Sequence, residues 1–178
     1  MSNKHCRIAL VLLIAVQSTI AQSQGGSSVT PEMRQAANES YQKQEWQAAA
    51  TNYEKIVKLE DKNANARYRY GVALMNLSKN AEAKAALDTA FATTPNPVYA
   101  LALARVNARL SDKKAVLEAL EKSVAAGGIA PDTLTNEADF ASIKNDPKFL
   151  DIVRRSDFAV NPCKAAPEFR QFDFWIGE

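Results

Sequence analysis

The residue types that carry most enzyme chemistry are scarce in this chain of 178 residues. It has one histidine, His5, and two cysteines, Cys6 and Cys163. A nucleophile activated by histidine needs both residues in one fold, and the usual zinc sites need several histidine or cysteine ligands. His5 and Cys6 also lie in a leader that we expect to be removed. Neither kind of site is therefore predicted.

Carboxylates are plentiful, and a close pair of them can act as general acid and base. Glu118, Glu121, Asp146 and Asp151, however, lie among lysines at the spacing of a solvated helix surface. The chain also lacks a GxSxG motif, a phosphate-binding glycine loop and a CxxC motif. The sequence therefore predicts a protein that is not an enzyme, needs no cofactor or metal, and acts by holding a partner.

The first 21 residues have the order of charge and hydrophobicity typical of a secretory signal peptide. Lys4 and Arg7 form a basic start, an apolar run follows over residues 8–16, and small residues precede a cleavage site that we expect after Ala21. The apolar run is shorter than the roughly 20 residues that span a bilayer, which favours cleavage over a membrane anchor. We expect a periplasmic or secreted protein with no membrane span after cleavage.

The formal net charge of +2 belongs to this leader. Lys4 and Arg7 leave with it and no acid is lost, so the mature chain has a formal charge of zero. Nucleic acid and an anionic membrane surface are therefore not predicted as partners. The mature chain would keep one thiol, Cys163, which can form no disulfide within the given sequence. It could pair between chains in an oligomer or with sequence beyond the residues given.

The elements that position the remaining side chains are predicted to be helices. Residues 22–30 are rich in Gly, Ser and Gln and are typical of a flexible linker. Residues 31–130 are rich in alanine and poor in glycine, as closely packed helices require. Gly127 and Gly128 are expected to end the last of six helices. The predicted helices span about 31–43, 46–60, 64–77, 80–93, 97–110 and 113–126.

Small and apolar residues recur in these helices at a separation of 34 positions. Ala49 aligns with Ala83 in this way, and Tyr53 aligns with Leu87. The pattern resembles the tetratricopeptide repeat (TPR) family, with a more degenerate third unit after Pro97. An alanine-rich helical bundle with accidental spacing is the alternative. The resemblance rests on Trp46, Ala49 and Tyr53 in the first unit and on Gly71, Ala83, Leu87, Ala90 and Pro95 in the second.

The predicted fold class is therefore all-α: a TPR-like helical-repeat solenoid of about three helix-turn-helix units with a short helical C-terminal cap. Stacked repeats leave an apolar end that must be covered, and residues 131–157 are expected to cover it. Two short helices are predicted there, over about 136–144 and 147–155, with Asp146 as the cap of the second. Residues 158–167 are predicted to be a linker.

Residues 168–178 crowd four aromatic side chains into one short segment. Their ending, FDFWIGE, resembles the first strand of a lipocalin-like β-barrel domain, which predicts a truncated start of a second domain. The alternatives are a disordered tail and a tail that folds back onto the repeat surface.

The TPR resemblance implies a concave groove, lined by the first helix of each unit, that receives a peptide or a partner helix. Arginine, asparagine and tyrosine suit this role because they bind backbone amides and carboxylates. The five-residue carboxylate clamp of one TPR subgroup is not expected, since only Arg34 and Asn38 approximate it. Two alternatives concern single groups of these residues. Tyr41 and Tyr68 could cover the seam between helices, and Arg105 and Arg109 could form a solvated stripe on one helix. Carried over residue by residue, the groove positions are Arg34, Asn38, Tyr41, Tyr68, Asn76, Arg105 and Arg109.

The function that these features predict is an exported TPR scaffold that binds another protein or peptide through its concave groove. Two alternatives remain. The chain is the N-terminal accessory region of a truncated ligand-binding or enzymatic protein, or its helices form an oligomeric structural element.

Overall fold

The computed structural model describes residues 28–162. The leader at 1–21, Cys163 and the aromatic segment at 168–178 lie outside these residues, so what the sequence predicts for them stays a prediction. The described residues form helices and turns without a strand. In chain order the helices are α1 Pro31–Gln42, α2 Trp46–Leu59, α3 Ala64–Asn76, α4 Asn80–Thr93, α5 Pro97–Arg109, α6 Lys113–Ala125, α7 Pro131–Thr135, a 3-10 helix Ala138–Ile143, and α8 Pro147–Val160.

The first six helices pair as three units, and each helix packs against the next along the chain. Their observed bounds agree with the predicted ones to within a residue at either end. The all-helical repeat arrangement predicted from the sequence is confirmed. The first helix of each unit begins at a side-chain cap, because Thr30, Asn63 and Asn96 each accept a hydrogen bond from a backbone N–H in the first turn.

The turn inside each unit has the same backbone geometry. Gln44, Ser78 and Ser111 occupy equivalent places and adopt φ of 58°, 61° and 60°. The amide after each of them donates to a carbonyl five residues earlier: Glu45 to Ser40, Lys79 to Leu74, and Asp112 to Asn107. Positive φ is uncommon for residues other than glycine, so its recurrence at three equivalent positions is a structural signature of the repeat.

The contact between α3 and α4 depends on small residues. Ala73, Ala83 and Leu87 are fully or almost fully buried there. A Cβ atom added to Gly71 would lie 2.7 Å from Cγ of Leu87 and 3.3 Å from the carbonyl oxygen of Ala83. The two helices therefore approach as closely as a missing side chain permits.

The C-terminal cap covers the end of the third unit with large side chains. Phe140 and Phe149 are buried, with ring centroids 6.0 Å apart in an edge-to-face arrangement. Ser156 is buried on α8, and its hydroxyl donates to the carbonyl of Ile129 at 2.6 Å and accepts from the Ile129 amide at 2.7 Å. These contacts attach α8 to the turn that follows α6.

Two predictions for this cap need correction. The segment expected to form one helix over 136–144 forms a 3-10 helix, and a separate short α-helix, Pro131–Thr135, precedes it. Helix α8 extends to Val160, so residues 158–160 are not part of a linker. The extension has a physical basis in the contacts of the last turns: Arg154 lies over the ring of Phe158, and the Asn161 side chain donates to Asp157 at 2.7 Å.

Candidate binding groove

The first helices of the three units place polar and aromatic side chains on one shared surface, which we call the groove face. We define it by Arg34, Asn38 and Tyr41 on α1, Asn65, Tyr68 and Arg69 on α3, and Tyr99 and Arg105 on α5. Arg69 and Tyr68 connect it, because the former contacts α1 and the latter contacts α5.

Arg69 is the centre of the groove face. Its Nη1 donates to Oδ1 of Asn38 at 2.7 Å and to the Tyr53 hydroxyl at 3.0 Å. The Tyr53 hydroxyl itself donates to the same Asn38 oxygen at 2.7 Å. The guanidinium carbon lies 5.4 Å from the ring centroid of Tyr41. Arg69 is thus held by neutral acceptors and a π-face, which keeps its charge in place without cancelling it.

The other arginines of this surface have carboxylate partners. Arg34 forms an ion pair with Glu60, and hydrogen bonds from Asn63 and from Arg34 lower the pKa of the Glu60 carboxyl. Arg105 Nε donates to Glu137 at 2.6 Å. Within residues 28–162, Arg69 is therefore the groove-face cation without a carboxylate partner.

Several aromatic rings lie near Arg69 on the groove face. Tyr41 contacts Trp46 and Tyr53 edge-on, with centroids 5.6 Å and 5.9 Å away. Burial, reinforced by the nearby Tyr68, raises the pKa of Tyr41 to about 12, although Arg69 lies close. Tyr68 stacks on Tyr99 at 4.7 Å, and burial raises the pKa of Tyr68 as well. Both hydroxyls therefore stay neutral at physiological pH.

A polar cleft of about 160 Å³ opens beside Arg69. It is lined by the polar or charged residues Arg34, Asn38, Tyr53, Asn63 and Asn65 and by the apolar residues Ile56 and Ala66. Such a volume is large enough for a carboxylate or a carboxamide but not for a substantial organic cofactor. The donors around it suit an acceptor-rich group from another molecule.

The structure brings five of the seven predicted groove residues onto this surface: Arg34, Asn38, Tyr41, Tyr68 and Arg105. Asn76 lies apart, exposed at the end of α3, where its amide donates to the Val72 carbonyl at 2.9 Å.

The arginines on α5 have a second role, because both of them contact the cap. Arg105 pairs with Glu137 on the approach to the 3-10 helix. Arg109 Nε lies 3.2 Å from a carboxylate oxygen of Asp139, and its Nη1 donates to the carbonyl of Met75 at 3.0 Å. These two pairs fasten the cap to the third unit.

The sequence did not identify Arg69 or Tyr99 as groove residues. Arg69 lies four residues after Asn65 on the same helix, and this spacing was a usable signal. Glu137 and Asp139 gave no such signal, since they lie in an irregular segment about 30 positions from the arginines that they bind.

Residues 28–162 hold no group of three or more His, Cys, Asp or Glu side chains that could bind a metal ion. No helix in this part of the chain has the length and hydrophobicity to cross a bilayer.

Comparison with known proteins identifies the fold. The family model of the tetratricopeptide repeat matches residues 40–106. The crystal structure of MamA protein is similar over 74% of this chain and 72% of its own, with a TM-score of 0.58 and 16% identity. The TPR2B domain of yeast Sti1, solved as a pHsp70 complex, is similar over 74% of this chain and 95% of its own, with a TM-score of 0.52 and 20% identity. No curated protein matches the chain. The predicted TPR solenoid fold is confirmed.

Proposed function

We propose, from the TPR solenoid fold of this chain, that it is an exported scaffold that binds an extended segment of another protein on its groove face. The observation that carries the proposal is Arg69, a fixed guanidinium beside a polar cleft with no carboxylate partner among residues 28–162. The yeast Sti1 domain with the same fold was solved as a pHsp70 complex, which supports a polypeptide partner.

The chemistry of the groove face favours an acidic residue in that partner. The guanidinium of Arg69 uses one nitrogen for Asn38 and Tyr53, which leaves N–H groups to receive a carboxylate. Asn65 is exposed at the cleft and adds a carboxamide donor. The stacked rings of Tyr68 and Tyr99 offer an apolar surface for the neighbouring side chain of the ligand. An acidic residue beside an aromatic or aliphatic one fits this arrangement.

Export rests on the composition of residues 1–21, whose basic start and apolar run are typical of a cleaved leader. The protein for the test is therefore expressed with its own leader and recovered from the periplasm. Mass spectrometry is expected to give the mass of a chain that begins at Gln22. Retention of the leader would contradict the export part of the proposal without affecting the groove part.

The groove is tested with a random dodecapeptide library displayed on phage. Peptides with an acidic residue next to an aromatic or aliphatic one are expected to be selected. The informative variant is Asn65→Asp, because it puts a carboxylate into the cleft without removing a hydrogen bond that holds the fold. We expect the selected peptides to bind this variant about tenfold more weakly, owing to like-charge repulsion at the cleft.

The matched control is Gln47→Glu. Gln47 is exposed at the second position of α2, as Asn65 is at the second position of α3, so both variants add one negative charge at a helix start. Binding by the control should equal that of the parent. Equal binding by Asn65→Asp and Gln47→Glu, or a selection without acidic peptides, would contradict the use of this cleft.

A further inference from the structure

A second cavity, which we call the C-terminal groove, lies between α6 and the start of α8. Its volume is about 720 Å³, and it shares no lining residue with the cleft beside Arg69. Leu117 on α6 and Pro147 and Ile152 on α8 provide apolar lining. Lys113, Lys148 and Glu121 are charged residues of the same lining. A cavity of this size and polarity suits a few large apolar side chains rather than a small polar ligand.

The position of this groove in the repeat explains why it is open. In the first two units the second helix packs against the first helix of the next unit, as α2 does on α3 and α4 does on α5. Helix α6 has no full unit after it within residues 28–162. Helix α8 covers part of α6 and leaves the space over Leu117 unfilled.

We infer that residues 169–176 of this same chain occupy the C-terminal groove. This segment contains Phe169, Phe172, Phe174, Trp175 and Ile176, five large apolar residues in a stretch of eight positions. Burial of such side chains is favourable at about 25 cal/mol per Å², and the groove provides an apolar surface next to the helix that precedes the segment in the chain.

The connection is long enough for this return. Helix α8 rises about 1.5 Å per residue, so its end at Val160 lies roughly 12 Å beyond Ile152. Residues 161–168, at about 3.3 Å per residue when extended, cover roughly 26 Å. The segment can therefore reach the start of α8 without any change in the helices.

Charge complementarity also favours this segment. Lys113 is paired with Asp146 at 2.6 Å, and Arg155 is paired with Glu121. Lys148 has no carboxylate partner within residues 28–162 and is exposed at the groove. The segment carries Asp173 among its aromatic residues and Arg170 near its start, so the acid lies in the aromatic part that is to be buried. The docked segment pairs Asp173 with Lys148 while its apolar side chains contact Leu117 and Pro147.

The experiment uses the full chain with Trp46→Phe, which leaves Trp175 as the single tryptophan, since the sequence has two. We expect the fluorescence emission of Trp175 to be blue-shifted and to be protected from quenching by acrylamide. Leu117→Asp places a carboxylate in the apolar lining and should shift the emission to the red and remove the protection. Leu110→Asp is the matched control, because Leu110 is 41% exposed outside the groove, and it should leave both unchanged.

A charge exchange keeps the test decisive if Leu117→Asp disturbs the fold. Lys148→Glu is expected to expose Trp175 to acrylamide, and Lys148→Glu combined with Asp173→Lys should restore the protection. Emission typical of exposed tryptophan in the parent would overturn the inference. So would blue-shifted emission that none of the groove variants changes. Protection that disappears on dilution would assign the groove to a second copy of the chain and would also overturn it.

Discussion

Two regions of the molecule bury their apolar residues in opposite ways: the contact between α3 and α4, and the C-terminal cap. At the α3–α4 contact, Gly71 leaves the space that Leu87 fills, so the two backbones lie close together. In the cap, Phe140 and Phe149 fill the volume between elements that are short and irregular. We therefore expect added atoms to destabilise the repeat contact and removed atoms to destabilise the cap.

This difference follows from the geometry of the elements. Long helices that run side by side in each unit can be brought together by small residues, which gain contacts along their whole length. A five-residue helix and a single 3-10 helix offer little surface of their own, so large rings connect the 3-10 helix to α8 and ion pairs connect it to α5. A solenoid can thus use one packing principle in its repeats and another at its end.

The largest expected effect is the loss of a ring from the cap. Phe140→Ala removes a fully buried side chain and leaves a cavity against Phe149, which should lower the free energy of unfolding by about 3–5 kcal/mol. Urea unfolding followed by circular dichroism measures the change. Leu110→Ala is the control, since Leu110 is exposed, and its effect should be small. A comparable loss for both variants would mean that the cap does not depend on filled volume.

A smaller effect is expected from an enlarged residue at the repeat contact. Gly71→Val forces Cβ toward Leu87 and the Ala83 backbone, and overpacking of this kind costs about 1–3 kcal/mol of unfolding free energy. The same urea titration measures it. Ala85→Val, at an exposed position of α4, shows the cost of a β-branched residue where there is space for it. Since Val has a higher helix propensity than Gly, a loss of stability in Gly71→Val reports on packing. If Gly71→Val were as stable as its control, the close approach of the helices would not constrain this position.

The smallest expected effect comes from an ion pair in the C-terminal cap, between Lys113 and Asp146. A hydrogen bond from Lys113, together with the Lys148 amide, lowers the pKa of the Asp146 carboxyl. A carboxyl whose pKa is lowered in the folded state stabilises the protein at any pH above its unfolded-state pKa. This contribution is lost as the pH falls through the folded-state pKa. Asp146→Asn keeps a residue suited to the helix cap and removes the charge.

The unfolding midpoint of Asp146→Asn should therefore lie slightly below that of the parent at neutral pH and meet it in acid. Urea titrations at several pH values measure the difference between the two. Ser142, exposed and outside this ion pair, serves as the control site through Ser142→Asn. A difference between Asp146→Asn and the parent that is constant with pH would show that the Lys113–Asp146 pair does not stabilise the cap.

The sequence predicted the repeat region far better than the cap. Six helices were placed correctly because alanine-rich segments alternate with short breaks at a fixed period, and Gly71, Ala83 and Leu87 mark the contact between two of them. The apolar residues of the cap were recognised. Because the cap has no sequence period, the short helix Pro131–Thr135 and the extension of α8 to Val160 were not predicted. Local propensity is weak in such short elements, and tertiary contacts decide their bounds.

The groove face was predictable where it follows the repeat. Arg34, Asn38, Tyr41 and Tyr68 share a surface, as expected from their places on first helices. Arg69 was missed because its role comes from hydrogen bonds to two other helices rather than from the residue type at its own position. The binding of a partner by this surface stays a prediction until the peptide experiment is done.

The three matching turns at Gln44, Ser78 and Ser111 have a consequence for how the helices keep their register. Each turn carries the same left-handed residue and the same hydrogen bond across five positions, although no glycine is present at any of them. Each unit thus carries its own turn geometry. The register of the two helices inside each unit therefore does not depend on the connections between units, which differ in length: residues 60–63 join the first unit to the second, and residues 94–96 join the second to the third.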